Sequence, residues 1–285
     1  MAAKKILKVR RDVPPHWVGD GFPVRSLFSY RDDWADPFLL LDYAEPYEFA
    51  PSHEPRGVGE HPHKGFETVT VVYQGELEHR DSAGNHGKIG PGDVQWMTAA
   101  SGIVHEEFHS EAFTRRGGAF EVAQLWVNLP AAAKKVPPRY QEIPSGQIPT
   151  VDVDGTTVRV IAGELQGTTG PAQTFTPVNL WDIQVAPGKE LRLPVPAGYT
   201  TALLVRGGSI EFNGSENVQA VGLVVFEREG DHILLKCDAP AAMLLLAGEP
   251  INEPVVGQGP FVMNTAEEIR HAFAEYQSGA MGHLH

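Results

Sequence analysis

The chain has 285 residues, 42% of them hydrophobic, and carries 23 Lys and Arg against 36 Asp and Glu, a net charge of −13. Such a length supports a large core and two domains, and the acidity argues against the broad basic face that nucleic-acid binding needs. The single cysteine, Cys237, excludes an internal disulfide and a thiolate metal site. No run approaches the roughly 18 apolar residues of a membrane span, so the chain reads as a soluble protein of the reducing cytoplasm.

In chain order, the basic run KKILKVRR (4–11) comes first. No apolar segment of signal-peptide length follows it, and it reads as a solvated first strand. Short runs rich in Val, Leu, Ile and Phe come next, among them PFLLLDYAE (37–45), ETVTVVYQG (67–75), VAQLWVNLP (122–130), TVRVIAG (157–163), TALLVRG (201–207) and AAMLLLAG (241–248). Turn signals separate them about every eight to twelve residues, a spacing that predicts an all-β sandwich or barrel. One helix is predicted, near the end at 266–278. There Asn264 or Thr265 caps the first turn, acidic residues suit the dipole, and Gly279 supplies the stop. Ile269, Phe273 and Tyr276 recur at helical spacing, which core packing explains.

The chain also repeats itself. GFETVTVVYQGELEH, starting at Gly65, lies over GYTTALLVRGGSIEF, starting at Gly198, with Phe66 on Tyr199, Thr68 on Thr201, Gly75 on Gly208 and Leu77 on Ile210. Two copies of one β unit are therefore predicted, a domain at 1–135 and another at 145–285, joined through the Pro- and Gly-rich region 130–149. The same displacement puts His61 on Pro194 and His63 on Pro196, so a metal site in the first copy is not expected in the second.

Metal chemistry is suggested by two compact groups, HPH at 61–63 and HEE at 105–107. Residues two apart on a strand point to one face, about 6.6 Å apart. His61 and His63 thus share a direction, as do His105 and Glu107. If the two pairs come from facing strands of a small barrel, three imidazoles and a carboxylate converge. That donor set suits Fe(II), Mn(II), Ni(II), Cu(II) or Zn(II) and leaves open coordination positions. By strand parity Glu67 is a second candidate carboxylate. His53, His79, His86 and His109 lack a paired context and read as surface or internally satisfied residues. Phe66, Trp96, Met97 and Phe108 flank the groups and are candidates both for an apolar pocket wall and for ordinary core.

HPHKGFETVTVV, then GKIGPGDVQWMTAASGIVHEEF and QLWVNLP, together resemble the pirin family of the cupin superfamily, and WADPFLLLD (34–42) and NTAEEIRHAFAEYQSG fit it too. The resemblance runs over nearly the whole chain. It implies a bicupin: two jelly-roll-like β-barrel domains packed face to face, a non-haem iron in the N-terminal barrel and none in the C-terminal one. The general cupin motif would choose Glu67 as the carboxylate ligand. Pirins take theirs from the second motif, which carries over to Glu107 and leaves Glu67 to orient a ligand imidazole. The activity implied is that of a quercetin 2,3-dioxygenase acting on a flavonol with O2 and releasing CO, with Glu107 or Glu67 taking the first proton. The family also includes members described as iron-dependent partners of transcription factors or metabolic enzymes, so a redox-sensing regulatory protein is the alternative, and a structural cupin with an incidental metal a third. A monomer is expected.

Overall fold

A computed structural model describes residues 2–188 and 190–284. Contacts divide it into two compact units, Pro14–Ser145 with Ile251–His285, and Met1–Val13 with Gly146–Pro250. This departs from the expected boundaries at 1–135 and 145–285, because each half of the chain contributes a terminal segment to the other unit. The reason is strand pairing: Ile6–Arg10 lies antiparallel to Gly222–Phe226, with Val9 opposite Val224.

Seven strands frame the site in the first unit: β1 (Gly57–His63), β2 (Phe66–Gln74), β3 (Leu77–Asp81), β4 (Val94–Thr98), β5 (Ile103–His109), β6 (Gly118–Asn128) and β7 (Arg139–Ile143). A seven-stranded antiparallel sheet runs β7-β4-β2-β6 and continues through Phe38–Phe49, Phe22–Ser29 and His16–Val18. A four-stranded sheet runs β1-β5-β3 and ends at His86–Ile89. The second unit repeats the plan, with one seven-stranded and one four-stranded sheet. The chain is mostly β, as two cupin domains require, and no described helix is long and apolar enough to cross a membrane.

The C-terminal helix, Ala266–Gln277, belongs to the first unit. Thr265 caps it, and the Glu268 side chain returns to the cap backbone, a reciprocal capping box. Its buried residues are Ile269 and Ala272, packed with Val104, Phe261 and Met263, and Phe273 lies against that cluster. Tyr276, expected on the packed face, is exposed.

Candidate metal centre

The chain ends β1 and starts β2 within two residues, because Gly65 turns at φ 91. A Cβ there would come within 1.9 Å of the Val262 carbonyl oxygen, so only glycine fits. The buried Lys134 ammonium holds this corner, donating to the carbonyl oxygens of Gly65 at 2.6 Å and Val262 at 3.0 Å and to Asn128 Oδ1 at 2.7 Å. Burial pushes its pKa down to about 8.

The corner settles which side chains meet. His61 and His63 stay on β1 in the small sheet, while Glu67 lies on β2 of the large one. Along β2, Phe66 packs on His63 at 5.1 Å and Thr70 lines the cavity beside the histidines. Glu67, of opposite parity, lies on the other face of that sheet, 1% exposed, and accepts a hydrogen bond from Thr98 Oγ1 at 2.7 Å. Strand parity thus does not carry across Gly65, and the expectation that Glu67 orients a ligand imidazole is corrected. Burial raises its pKa to about 7, against the lowering effect of the Thr98 hydroxyl.

His105 stands directly opposite His61 in the β1-β5 ladder. The ring centroids of His61, His63 and His105 are 4.3 to 4.9 Å apart, and one donor nitrogen from each lies within 4.8 Å of the others. The register shifts by one residue between His105 and Glu107, since Glu107 pairs with Val58. This bulge on β1 frees the Gly59 carbonyl to accept from His61 Nδ1 at 2.8 Å. His63 Nδ1 faces the Pro260 carbonyl at 3.4 Å, and His105 Nδ1 faces His79 Nδ1 at 3.4 Å. With every Nδ1 engaged, each imidazole keeps Nε2, and His105 Nε2 is buried with no hydrogen-bond partner. Burial first, then the neighbouring imidazoles, holds the pKa of His63 and His105 well below the usual value, so both are neutral. Three imidazoles with clustered ring nitrogens, His63 and His105 held neutral by burial, suit a divalent ion.

Glu107 comes from the same strand but groups with His105 and His79, donor atoms again within 4.8 Å. Its carboxylate is buried and accepts from Gln95 Nε2, from Gln124 Nε2 at 2.9 Å and from Thr70 Oγ1 at 3.5 Å. Of the four expected ligands, the three imidazoles form one group; Glu107 joins His105 in a second and is held by two amides and a hydroxyl.

His61, His63 and Glu107 open on a cavity of about 170 Å³ walled by Val18, Phe22, Val24, Val58, Val122 and Trp126, with Asp42 and Gln124 as further polar groups. None of the four aromatic and Met residues expected as a wall is in it: Phe66 stacks behind Trp126 at 4.2 Å, Trp96 and Met97 are core, and Phe108 faces a separate surface groove. Asp42 was not anticipated; burial raises its pKa although Ser26 Oγ donates to it at 2.5 Å. His53 and His86 are exposed, and His109 donates through Nε2 to the Gly21 carbonyl at 2.9 Å. His79 is internally satisfied, bonded to Asp81, but it is also packed against His105, a context not read from the sequence. The available signal was Asp81, two residues on along the same strand face.

The pirin family model matches residues 22–127, and the pirin C-terminal cupin domain matches 180–282. A protein of Pseudomonas aeruginosa, provisionally named a quercetin 2,3-dioxygenase, is 49% identical over 99% of this chain and its own full length. The crystal structure of a quercetin 2,3-dioxygenase from Acinetobacter baumannii superposes with a TM-score of 0.96 at 48% identity, covering 99% of each chain. Human pirin is 38% identical over 87% of this chain and 83% of its own. Family models across both barrels, together with these full-length likenesses, establish that the chain belongs to the pirin family.

Proposed function

We propose that this chain is a quercetin 2,3-dioxygenase that cleaves a flavonol with O2, releasing CO and leaving a depside ester, and that it works in the cytoplasm. The observation that carries this reading is the cluster of His61, His63 and His105, Nε2 atoms free and Nδ1 atoms tied, beside the Glu107 carboxylate at the head of an apolar cavity. Identity near one half to proteins bearing that name supports it.

His61, His63, His105 and Glu107 would hold the ion, Fe(II) in our reading, which when bound supplies a Lewis-acid point that polarises the oxygen donors of the substrate. The chain's own groups do the rest. Glu107 accepts the proton of the flavonol 3-hydroxyl, its carboxylate kept in place by Gln95, Gln124 and Thr70. Glu67, on the opposite face of β2, has no part in that step. The valine and phenylalanine wall keeps water from the resulting anion. At about 170 Å³ the cavity is smaller than the roughly 300–1,000 Å³ that encloses a whole drug-sized ligand.

The test is oxygen uptake and CO release by Fe(II)-loaded protein in aerated quercetin solution, abolished by chelation and restored by Fe(II). Flavonol binding with a spectral change but no oxygen consumed would overturn the dioxygenase reading in favour of a regulatory one.

A further inference from the structure

Behind His105, on the side away from His61 and His63, lies a chain of buried polar groups. His79 sits on β3, paired across the ladder with Glu107, while Asp81 pairs with His105. His79 is 1% exposed, with its Nδ1 3.4 Å from His105 Nδ1 and its Nε2 3.1 Å from Asp81 Oδ2. Asp81 is anchored in turn, accepting from the backbone N–H groups of Ala83 and Asn85, each at 3.0 Å, and from Asn85 Nδ2 at 2.9 Å. Tyr140 of β7 stacks on the His79 ring, 4.7 Å away and 17° from parallel. Gly87 makes room for it, since a Cβ there would meet Tyr140 Oη at 1.9 Å.

We propose that His79, fixed by Asp81 and Tyr140, is the positioning residue that sets the tautomer and ring orientation of His105. The geometry points to one arrangement. The Asp81 carboxylate accepts, so His79 Nε2 carries a proton. His105 Nε2, the buried atom with no partner in the protein, is the atom left for a metal. The proton of a His105 that ligates through it sits on Nδ1, and His79 Nδ1, 3.4 Å away, is placed to accept it. A ligating imidazole whose other nitrogen is held in this way is both oriented and more basic. The same edge steadies the carboxylate: Tyr140 Oη lies 3.3 Å from Gln95 Oε1, and Gln95 Nε2 donates to Glu107. One element thereby reaches both the third imidazole and the carboxylate.

This assignment rests on His105 being a ligand, and the test separates the two. Zn(II) and Co(II) affinities are measured for wild type, His79→Leu and His79→Asn, together with the visible spectrum of the Co(II) forms. His79→Leu removes the acceptor and should weaken binding on the order of 10- to 100-fold with altered Co(II) bands. His79→Asn places an amide oxygen near the former Nδ1 and should restore most of the affinity. Long-range 1H–15N correlation on the Zn(II)-loaded wild type should show His79 as the Nε2–H tautomer, which decides the matter even if the leucine variant does not fold. Wild-type affinity and spectrum in His79→Leu, or a His79 protonated on Nδ1, overturns the positioning role while leaving the metal site intact. A wild type that binds neither ion overturns the ligand reading and the positioning role with it.

Discussion

The two barrels share one plan of sheets and differ in what they put inside. In the first, the small sheet turns His61, His63 and Glu107 toward a cavity and packs His105 and His79 beside them. In the second, its counterpart strand Glu190–Pro194 turns Leu191 and Leu193 inward, followed by Val195, onto a core that includes Ile233, Leu235, Phe212 and Leu203. An apolar interior at the equivalent place therefore suffices to hold this fold together. The four buried ionisable side chains of the first barrel's group, His63, His79, His105 and Glu107, contribute nothing to the fold that leucine would not supply, since a polar group taken from water without full compensation costs stability. The difference marks the first interior as selected for chemistry.

The largest expected effect comes from breaking the polar interior. His63→Ala should leave purified protein without the single ion per chain expected of the wild type and abolish flavonol cleavage, with far-UV circular dichroism unchanged. Elemental analysis checks the first point, and metal retained at one per chain would sink the assignment. Glu107→Ala should likewise lose most metal, whereas Glu67→Ala should keep wild-type affinity, because its carboxylate lies across the sheet with Thr98. The reverse pattern would return the carboxylate to Glu67.

Working the comparison from the other side, Leu193→His puts an imidazole into the apolar barrel. Leu193 is fully buried. Losing its packing and stranding a polar ring should cost on the order of 4 kcal/mol in urea unfolding, with no metal bound in exchange. A variant as stable as the wild type would mean that the second interior is looser than its burial suggests.

Much of this contrast was legible in the sequence, and the gaps have physical causes. The three imidazoles were readable because alternation on a strand is local, and the helix because its cap and acidic first turn are local too. Glu67 was misread because side-chain parity was carried through Gly65, where the backbone turns and the chain changes sheets. The repeat was displaced by one residue at its edge. Pro194 and Pro196, aligned on His61 and His63, are exposed, and Leu193 and Val195 face inward; such a slip exchanges every side chain between faces. His79 acquires meaning only when β3 pairs with β5, and the exchanged termini only when Ile6–Arg10 finds Gly222–Phe226. Both pairings span long stretches of chain, beyond the reach of local pattern.

A smaller effect follows from Glu67, the buried carboxyl beside an all-apolar neighbour's plan. Its folded pKa of about 7 lies above the ordinary 4.5. Between those values the folded chain holds a proton that the unfolded chain has released, so stability is full below pH 4.5 and declines as pH rises to 7. At 1.36 kcal/mol per unit the decline is about 3 kcal/mol. Glu67→Gln removes the group that titrates, so metal-free variant and wild type should diverge over this window, the variant being the more stable above pH 7. Parallel urea midpoints at pH 4.5 and 7.5 would show that burial does not perturb Glu67.

The finest difference between the interiors is where an unanswered indole donor sits. Trp126 lines the cavity, and its Nε1–H is buried without an acceptor. In the second unit the Trp181 indole N–H also lacks an acceptor, but it is shut inside the core. The Trp126 N–H, beside the residues expected to hold the metal, can donate to an oxygen of the substrate. Trp126→Phe keeps an aromatic ring to stack on Phe66, where the planes now lie 27° apart, and deletes the donor. A neutral hydrogen bond is worth about 0.5–1.5 kcal/mol, so KM for the flavonol should rise roughly two- to tenfold while kcat holds within about twofold. If kcat falls and KM stays, the donor acts on the transition state instead; if neither moves, the indole N–H takes no part in recognition.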